Sequence, residues 1–266
     1  MRTIIGNITQ ANKAFDLIQD KDYVCVGVSG GKDSMLLLEG LSLYKKIVKE
    51  KLGWDIKVVG VHLKMSLCAI DYTEITKYWK EKEVDFIIAD THMGEILMNK
   101  MKNNKLQCSL CSKMKKAILI EEAKKLGCNK VAMGHHADDA IETFFMNLIN
   151  EGRIATFKPK MYLDRTDIWF IRPLILAREK DIKKITNKAE MPIIPCGCPM
   201  EGFTQRDTTK DFLLESFYRN KKWEASYKNF LVALMNGKEC DLWFTNEDKT
   251  KNNFKDIIGK CKEAEK

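Results

Sequence analysis

Residues 23–38 read YVCVGVSGGKDSMLLL, and this stretch decides the fold of the chain. Its β-branched beginning predicts a strand, its leucines predict a helix, and SGGKDS predicts a tight turn between them. Two adjacent glycines let the backbone approach a ligand closely, and the unpaired N–H groups at a helix start favour an anion. Because Lys32 adds a positive charge, the turn is predicted to hold phosphate groups. It differs from the Walker loop, whose glycines are farther apart.

Strands and helices alternate along the chain as far as residue 150. The predicted strands cover residues 23–28, 56–63, 85–89 and 130–134, and the predicted helices cover 34–51, 73–82, 112–126 and 138–150. This order is typical of an α/β fold, with a doubly wound parallel sheet between helices. Ligands of such sheets bind at the carboxyl ends of the strands. The turns at 29–34 and 134–139 both follow strands, so they are expected at that one edge.

The pattern loosens after residue 150, and the chain is predicted to have three parts. These are an N-terminal helix at 1–20, the α/β domain at 21–200 and a helical C-terminal extension at 201–266. Further elements are predicted as an extended segment at 168–174, a charged helix at 179–190 and two helices within 208–236.

Composition and charge narrow the class of protein. The 266 residues are 45% hydrophobic and 31% charged, as in ordinary globular proteins. No apolar run approaches the ~20 residues of a membrane span, and the N-terminus turns polar too soon for a secretory signal; we therefore expect a cytoplasmic protein without a membrane partner. The net charge of +8 suits a polyanionic partner. Nine cysteines without an export signal favour metal or redox chemistry over disulfides.

Cysteines are concentrated in two short stretches. Cys108 and Cys111 are separated by two residues at a predicted helix start, and Cys196 and Cys198 lie in a loop bracketed by prolines. Thiolates near a helix start bind metal ions. Zinc prefers four ligands, whereas three cysteines can hold a cubane iron–sulfur cluster, and packed structural thiols are a third interpretation. The residues alone leave these alternatives open.

Several motifs together resemble a known family. SGGKDS resembles the PP-loop ATP pyrophosphatases, which cleave ATP between its α- and β-phosphates and activate a substrate oxygen as the adenylate. The stretches that start at Cys108, Ile171 and Met191 (CSLCSKMKKAILIEEAKKLGCNKVAMGHHADDAIETFFMNLINEG, IRPLILAREKDI and MPIIPCGCP) resemble bacterial tRNA 2-thiocytidine synthetases. These are iron–sulfur enzymes that replace the C2 oxygen of an anticodon-loop cytidine with sulfur. The resemblance covers residues 20–215 and implies a PP-loop, adenine nucleotide alpha-hydrolase-like fold.

The resemblance implies an ATP site with Mg²⁺. Asp33 would serve Mg²⁺, because a carboxylate tolerates a nearby triphosphate only with a cation between them. Asp139 would be catalytic, and Lys115 would reach the α-phosphate or the adenylate. The remaining implied nucleotide contacts are Ser29, Gly30, Gly31, Lys32, Ser34, His62, Lys64, Gly134 and Asp138.

The resemblance also implies a [4Fe–4S] cluster held by Cys108, Cys111 and one cysteine of the later loop. The Cys196-Gly-Cys198 stretch departs by one residue from the CxxC that the family usually has there. Cys198 is the preferred ligand, because Cys198-Pro199 also resembles the Cys-Pro ligand of related 2-thiouridine synthetases. The fourth iron would then have no protein ligand.

Each motif also has a purely structural interpretation. Asp138 or Asp139 can cap the helix that follows them. His135 and His136 can hold loops by hydrogen bonds, and Lys115 can be one of several solvated lysines. These roles are compatible with catalysis for the carboxylates, which can share Mg²⁺ with Asp33 and polarise the leaving pyrophosphate.

The basic side chains of the second half are predicted to contact tRNA phosphates. They are Lys180, Lys183, Lys184, Lys188, Arg206, Lys210, Arg219, Lys221 and Lys222. Arg172 and Arg178, which flank a Pro-Leu turn, are expected to contact either the nucleotide or RNA. The extension at 201–266 is therefore expected to contact RNA. Its aromatic side chains, including Phe217, are expected mostly in the core rather than stacked on an extruded base.

These observations predict an ATP-dependent tRNA sulfurtransferase that adenylates the C2 oxygen of a cytidine and replaces it with sulfur. Its partners would be tRNA, a sulfur donor (a cysteine desulfurase or sulfide) and a second copy in a homodimer. A thiouridine synthetase, a PP-loop lysidine or amide ligase and a non-enzymatic metal-bearing nucleic-acid-binding protein remain alternatives. The ligase needs no cysteines, and the binding protein leaves SGGKDS without a purpose.

Overall fold

The computed structural model describes residues 1–65, 70–100, 108–194, 205–220 and 225–235. Contacts divide the chain into two compact units, residues 1–224 and 225–266. The described part of the second unit contains one helix, α9 (Ser226–Met235). The predicted boundaries at residues 20 and 200 stay predictions.

The first unit alternates strands with helices along the chain. Its strands are β1 (Tyr23–Gly27), β2 (Lys57–Lys64), β3 (Asp85–Asp90), β4 (Lys130–Ala132), β5 (Lys160–Leu163) and β6 (Ile168–Ile171). Its helices are α1 (Arg2–Phe15), α2 (Lys32–Leu52), α3 (Thr73–Glu81), α4 (Met93–Asn99), α5 (Cys108–Lys125), α6 (Ala137–Glu151), α7 (Glu179–Lys188) and α8 (Gln205–Leu213), with α8 continuing as a π-helical turn (Leu214–Tyr218).

The six strands form one sheet in the order β3-β2-β1-β4-β6-β5. All neighbouring pairs are parallel except the edge pair β5 and β6, which is antiparallel. The predicted α/β class with a largely parallel sheet is confirmed. Because β1 lies between β2 and β4, the chain reverses its direction of winding beside β1. Such a switch point opens a crevice at the carboxyl ends of the strands, and both SGGKDS and GHHADD follow strands at this crevice.

Helix α2 fixes the SGGKDS turn to the core of the first unit. It follows Gly31, whose backbone is extended, and ends at Gly53, whose φ of 72° is left-handed. Between these glycines, the leucines at 36–38 are fully buried. The helix therefore packs along its length, and its first turn is held rigidly at the sheet edge.

A buried ion pair stabilises the opposite edge of the sheet. Lys130 Nζ lies 2.7 Å from Asp22 Oδ2, and both side chains are almost fully buried. Lys130 also donates to the carbonyl of Leu17, and Asp22 accepts from the Asn129 amide. These hydrogen bonds satisfy the buried charges, so the amino ends of β1 and β4 serve stability, while their carboxyl ends carry the candidate site.

Some predicted elements differ from those observed. Helix α1 ends at Phe15 rather than continuing to residue 20, because Asp16 adopts a left-handed conformation and Asn12 accepts from the Ile18 N–H. Strand β5 and helix α4 were not predicted. The described helices include none that is long and apolar enough to cross a membrane.

Candidate active site

The SGGKDS turn is held by its own two serines. Ser34 Oγ donates to the carbonyl of Gly31 at 2.9 Å and accepts from the N–H of Ser29 at 3.1 Å. The two hydroxyl oxygens lie 3.1 Å apart. Gly31 is the N-cap of α2 and has no side chain that could accept from the first turn of the helix. The serines therefore shape the turn, and the helix start can bind an anion.

Two glycines let neighbouring segments pack against this turn. Gly30 has a φ of 89°, and a Cβ there would lie 2.5 Å from Ile194. The Ile194 N–H donates to the Gly30 carbonyl at 3.0 Å. A Cβ on Gly134 would lie 3.1 Å from backbone atoms of Asp33 and Ser34. The turn after β4 thus meets the turn after β1 backbone to backbone, as their positions in the sequence predict.

Three carboxylates, those of Asp33, Asp138 and Asp139, lie within 4 Å of the His136 ring where the turns meet. His136 Nε2 lies 3.7 Å from Asp33 Oδ1 and 3.5 Å from Asp139 Oδ2. His136 is the N-cap of α6: its N–H donates to Asp139, and its Nδ1 accepts from the Asp139 N–H. Among the described residues, buried Asp33 Oδ1 has no hydrogen-bond partner. The structure thus brings Asp33 and Asp139 to the same histidine. Asp139 also forms part of the capping box at the start of α6, as expected for a purely structural role.

Asp138 lies between His136 and α7, with its Oδ2 3.9 Å from His136 Nδ1. Its carboxylate accepts from Arg178 Nε at 3.2 Å and from the Glu179 N–H at 2.7 Å. Asp138 is buried, and these contacts fix the start of α7 to the start of α6. Its predicted nucleotide contact stays a prediction.

Lys32 joins the turn to a cluster of charges. Its Nζ lies 3.2 Å from Asp33 Oδ2 and 3.2 Å from Glu179 Oε1. The same Glu179 oxygen lies 2.8 Å from Lys210 Nζ and 3.2 Å from Lys183 Nζ. Burial by itself raises the pKa of Glu179, but Lys210, Lys32 and Lys183 outweigh it and lower that pKa to about 2. Lys183 and Lys210, both predicted as tRNA contacts, therefore contact the Glu179 carboxylate beside the SGGKDS turn.

Arg206 connects α8 to the carboxylates of α6. Its Nη1 lies 2.9 Å from Asp139 Oδ1 and 3.5 Å from Glu142 Oε2, and its Nη2 donates to Thr143 Oγ1 at 3.1 Å. Burial, followed by the charge of Asp139, raises the pKa of Glu142 to about 7. Arg206, which is predicted to contact RNA, therefore contacts the carboxylates of Asp139 and Glu142 in the structure.

An aromatic cluster holds this part of the chain to α6. The Phe145 ring lies 6.5 Å from the rings of both Phe212 and Phe217, which are 6.0 Å apart. Phe217 therefore contributes to packing, as the sequence analysis expects. The packing gives α8 a fixed position beside the carboxylates.

His62 and Lys64 lie at the carboxyl end of β2, as predicted. His62 Nδ1 is 2.9 Å from the Val28 carbonyl oxygen, and Lys64 Nζ is 3.0 Å from Asp90. Burial lowers the pKa of His62, and the charge of Lys115 contributes to this shift. Lys115 on α5 is exposed. Its charge acts on His62, so it lies within electrostatic range of the carboxyl end of β2. The predicted roles of these three residues toward ATP stay predictions.

The cysteine motif coincides with the start of α5. This helix begins at Cys108, and Cys111 is part-buried one turn later against the apolar side of α4. Cys196 and Cys198 lie outside the described residues. Within the described ranges, no group of three or more His, Cys, Asp or Glu side chains is arranged to hold a metal ion.

His135 and Arg172 are drawn into the protein beside Phe157. The rings of His135 and Phe157 are 5.0 Å apart, and Arg172 lies 4.6 Å above the same ring. Burial lowers the pKa of His135 to about 4 and that of Arg172 to about 10. Arg172 also donates to the Lys158 carbonyl. Both side chains therefore hold the loop before β5.

The family model of the PP-loop domain matches residues 3–194, which is most of the chain. The chain belongs to the PP-loop family. This confirms the resemblance carried by SGGKDS, and it agrees with the switch point at which the PP-loop turn lies.

Curated relatives of this PP-loop chain have a more specific name. The tRNA-cytidine(32) 2-sulfurtransferase of Ralstonia pickettii is 35% identical over 76% of this chain and 63% of its own length. The protein of that name from Idiomarina loihiensis is 36% identical over 77% of this chain and 67% of its own. The chain thus spans about two thirds of the length of these relatives. The resemblance to tRNA 2-thiocytidine synthetases is confirmed.

A solved structure supports the PP-loop fold. The U34-tRNA thiolase of Methanococcus maripaludis, determined with its [4Fe–4S] cluster, superposes with a TM-score of 0.67. The superposition covers 91% of this chain and 81% of the thiolase, at 18% identity. At this identity the likeness concerns the fold alone.

The PP-loop crevice thus combines a turn whose helix start has no side-chain cap, the carboxylates around His136 and a group of ammonium ions. Sequence reasoning found the turn and the carboxylates but missed Glu179 and Glu142. The position of Glu179 in the stretch IRPLILAREKDI could have identified it, because it directly follows Arg178, which is itself a predicted ligand contact. Glu142 follows Asp139 by three residues, and this spacing places the two side chains on one face of a helix. The spacing could therefore have identified Glu142 from the sequence.

Proposed function

We propose that this PP-loop protein is an ATP-dependent tRNA sulfurtransferase. It adenylates the C2 oxygen of an anticodon-loop cytidine and replaces that oxygen with sulfur. The observation that carries the proposal is the pairing of Asp33 with Asp139 across His136, beside an anion-binding turn. The names of the curated relatives support tRNA as the substrate and cytidine over uridine as the base.

The PP-loop turn would bind the phosphates of ATP. The first-turn N–H groups of α2 and the Lys32 ammonium provide hydrogen bonds and positive charge for the β- and γ-phosphates. The C2 oxygen of cytidine attacks the α-phosphorus, the bond to the bridging oxygen breaks, and pyrophosphate leaves. Lys115 is proposed to stabilise charge that develops on the α-phosphate.

Asp33 and Asp139 are suited to hold Mg²⁺ with ATP. The buried Asp33 Oδ1 has no hydrogen-bond partner among the described residues, and such an orphaned oxygen fits a cation. Mg²⁺ commonly binds one or two carboxylates together with substrate phosphates. When bound, it neutralises negative charge on the leaving pyrophosphate. His136 contributes by holding the Asp139 carboxylate through the α6 capping box.

Cys108, Cys111 and Cys198 are proposed to hold a [4Fe–4S] cluster. Thiolates are the usual protein ligands of such clusters. The two described donors fit this role, because α5 begins at Cys108 and Cys111 is part-buried against apolar side chains one turn later. When bound, the cluster supplies an iron at which sulfur can bind. Cys196 is then a bystander or a reserve persulfide carrier.

The partners follow from the same reaction. The substrate is tRNA, and the sulfur comes from a cysteine desulfurase or from sulfide. The protein acts in the cytoplasm and forms a homodimer. The exposed basic side chains of α7 support tRNA binding through phosphate contacts.

Reconstitution tests this function. Anaerobically purified protein is incubated with tRNA, ATP, Mg²⁺ and sulfide, and the nucleosides are analysed by mass spectrometry. The expected product is 2-thiocytidine, formed with one pyrophosphate per thiolated base and absent without ATP. A 2-thiouridine product would assign the protein to the thiouridine synthetases. In a parallel incubation with lysine in place of sulfide, pyrophosphate release with lysine incorporation would assign it to the ligases.

A further inference from the structure

Three ammonium groups converge on a single carboxylate oxygen beside the PP-loop turn. Glu179 Oε1 lies 2.8 Å from Lys210 Nζ and 3.2 Å from both Lys32 Nζ and Lys183 Nζ. The lysines come from three separate helices, α8, α2 and α7. The contacts of Lys32 and Lys210 with Glu179 are therefore products of the tertiary fold, whereas Lys183 follows Glu179 by four residues on the same helix.

Among groups within ion-pair distance, the cluster has three positive and two negative charges. Three ammonium groups share the Glu179 carboxylate, Asp33 contacts only Lys32, and Glu142 acts on Lys210 from a greater distance. The ammonium groups repel one another at this distance. A further anion bound between them would reduce this repulsion. The three lysine side chains are 26%, 32% and 54% exposed, which leaves the cluster open to a ligand from solvent.

Glu179 is itself fixed by the other half of the site. Its N–H donates to Asp138 at 2.7 Å, and the preceding residue, Arg178, is ion-paired with the same carboxylate. Asp138 follows β4 and adjoins the catalytic candidate Asp139. The cluster is thus connected to both turns at the switch point, and its lysines are gathered where the triphosphate is expected.

We propose that Lys183 and Lys210, gathered by Glu179 beside Lys32, bind the pyrophosphate portion of ATP. Glu179 is a positioning residue that keeps the ammonium groups together before ATP arrives. This inference rests on the proposed function and adds to it a second half of the phosphate site. A pyrophosphate group has the high negative charge that the cluster lacks, and several charge-assisted hydrogen bonds can form at once.

Binding of inorganic pyrophosphate and of AMP separates this role from others. The full-length protein and the variants Lys210→Gln and Lys183→Gln are titrated with each ligand at constant ionic strength. Loss of one charge-assisted hydrogen bond is expected to weaken pyrophosphate binding about tenfold and to leave AMP binding unchanged. Lys51→Gln, at an exposed lysine on α2, the helix that carries Lys32, is the control and should behave as wild type toward both ligands.

The role of Glu179 requires a kinetic readout. Glu179→Gln keeps the size of the side chain but removes its charge, so KM for ATP is expected to rise at least fivefold while kcat changes less. Glu179→Asp should restore part of the affinity. A merely structural role would instead lower the melting temperature and would not separate KM from kcat.

The outcomes distinguish this inference from the proposed function. If wild type binds pyrophosphate and both lysine variants bind it equally well, the inference is wrong and the proposed function stands. Unchanged pyrophosphate binding with weakened tRNA binding would assign these lysines to tRNA and also overturn it. If wild type binds neither ATP nor pyrophosphate, the proposed function fails and the inference with it.

Discussion

Arg206 holds a guanidinium nitrogen 2.9 Å from Asp139 Oδ1, so α8 reaches the carboxylate that is predicted to act in catalysis. The same nitrogen lies 3.5 Å from buried Glu142. One arginine therefore links two acidic side chains on one face of α6. The charge state of this group is open to a direct test by pH.

Glu142 should make the stability of the protein depend on pH. Its pKa is raised from 4.5 to about 7, first by burial and then by Asp139, so the folded state binds a proton that the unfolded state has released. This contribution to stability is fully present below pH 4.5 and is lost as pH rises through about 7. Glu142→Gln should be more stable than wild type by up to about 3 kcal/mol above pH 7.

Denaturant unfolding of the two proteins between pH 5 and 8 measures this difference in stability. The advantage of Glu142→Gln should grow as pH rises. A difference that is constant across this range would show that Glu142 does not titrate there.

Lys32 and Asp33 should be required for chemistry and not for folding. Lys32→Ala and Asp33→Ala are expected to abolish ATP-dependent pyrophosphate release, because both residues belong to the turn that is proposed to bind ATP and Mg²⁺. Their side chains are 26% and 30% exposed, so melting temperatures should change little. The contrasting control is Lys130→Met, which leaves buried Asp22 unpaired and should cost about 3–5 kcal/mol of stability. Full activity in either alanine variant would remove the PP-loop turn from the mechanism.

The position of this site follows largely from the sequence. SGGKDS and GHHADD each follow a strand, and parallel strands bring their carboxyl ends to one edge. The sequence does not decide between Asp138 and Asp139, because successive residues on a helix point about 100° apart. In the observed packing, Asp138 contacts the start of α7 as well as His136, and Asp139 contacts His136 and Arg206.

Other features depend on contacts between distant segments. The partners of Glu179 and Asp139 on α8 are set by how that helix packs on α6 through Phe145, Phe212 and Phe217. Strand β5 is a four-residue edge strand, KMYL, whose part-buried side chains lack a clear alternation. Neither feature has a local sequence signal of its own.

Salt should weaken binding of tRNA in a defined way. If the lysine-rich surface contacts the tRNA backbone, log Kd rises linearly with log salt concentration, by roughly 0.7–0.9 for each phosphate contact. Filter binding or fluorescence anisotropy at several salt concentrations gives the slope. A flat response would indicate a small-molecule substrate.

The cysteines should divide into cluster ligands and a bystander. Alanine at Cys108, Cys111 or Cys198 is expected to remove the brown chromophore and thiolation but to preserve ATP binding. Cys196→Ala should retain the chromophore. Iron, sulfide and zinc analysis of anaerobic protein checks the metal content. If Cys196→Ala removes the chromophore and Cys198→Ala does not, the third ligand is Cys196 rather than Cys198. One zinc ion bound by all four cysteines would contradict a cluster whose fourth iron has no protein ligand.

The central claim is that ATP activates a tRNA cytidine for sulfur transfer. The most direct measurement uses tRNA labelled with ¹⁸O at the C2 oxygen of its cytidines, incubated with protein, ATP and sulfide under anaerobic conditions. We expect the label to appear in AMP, in an amount equal to the 2-thiocytidine formed, because the C2 oxygen leaves with the adenylate. Formation of 2-thiocytidine with no ¹⁸O in AMP would contradict it.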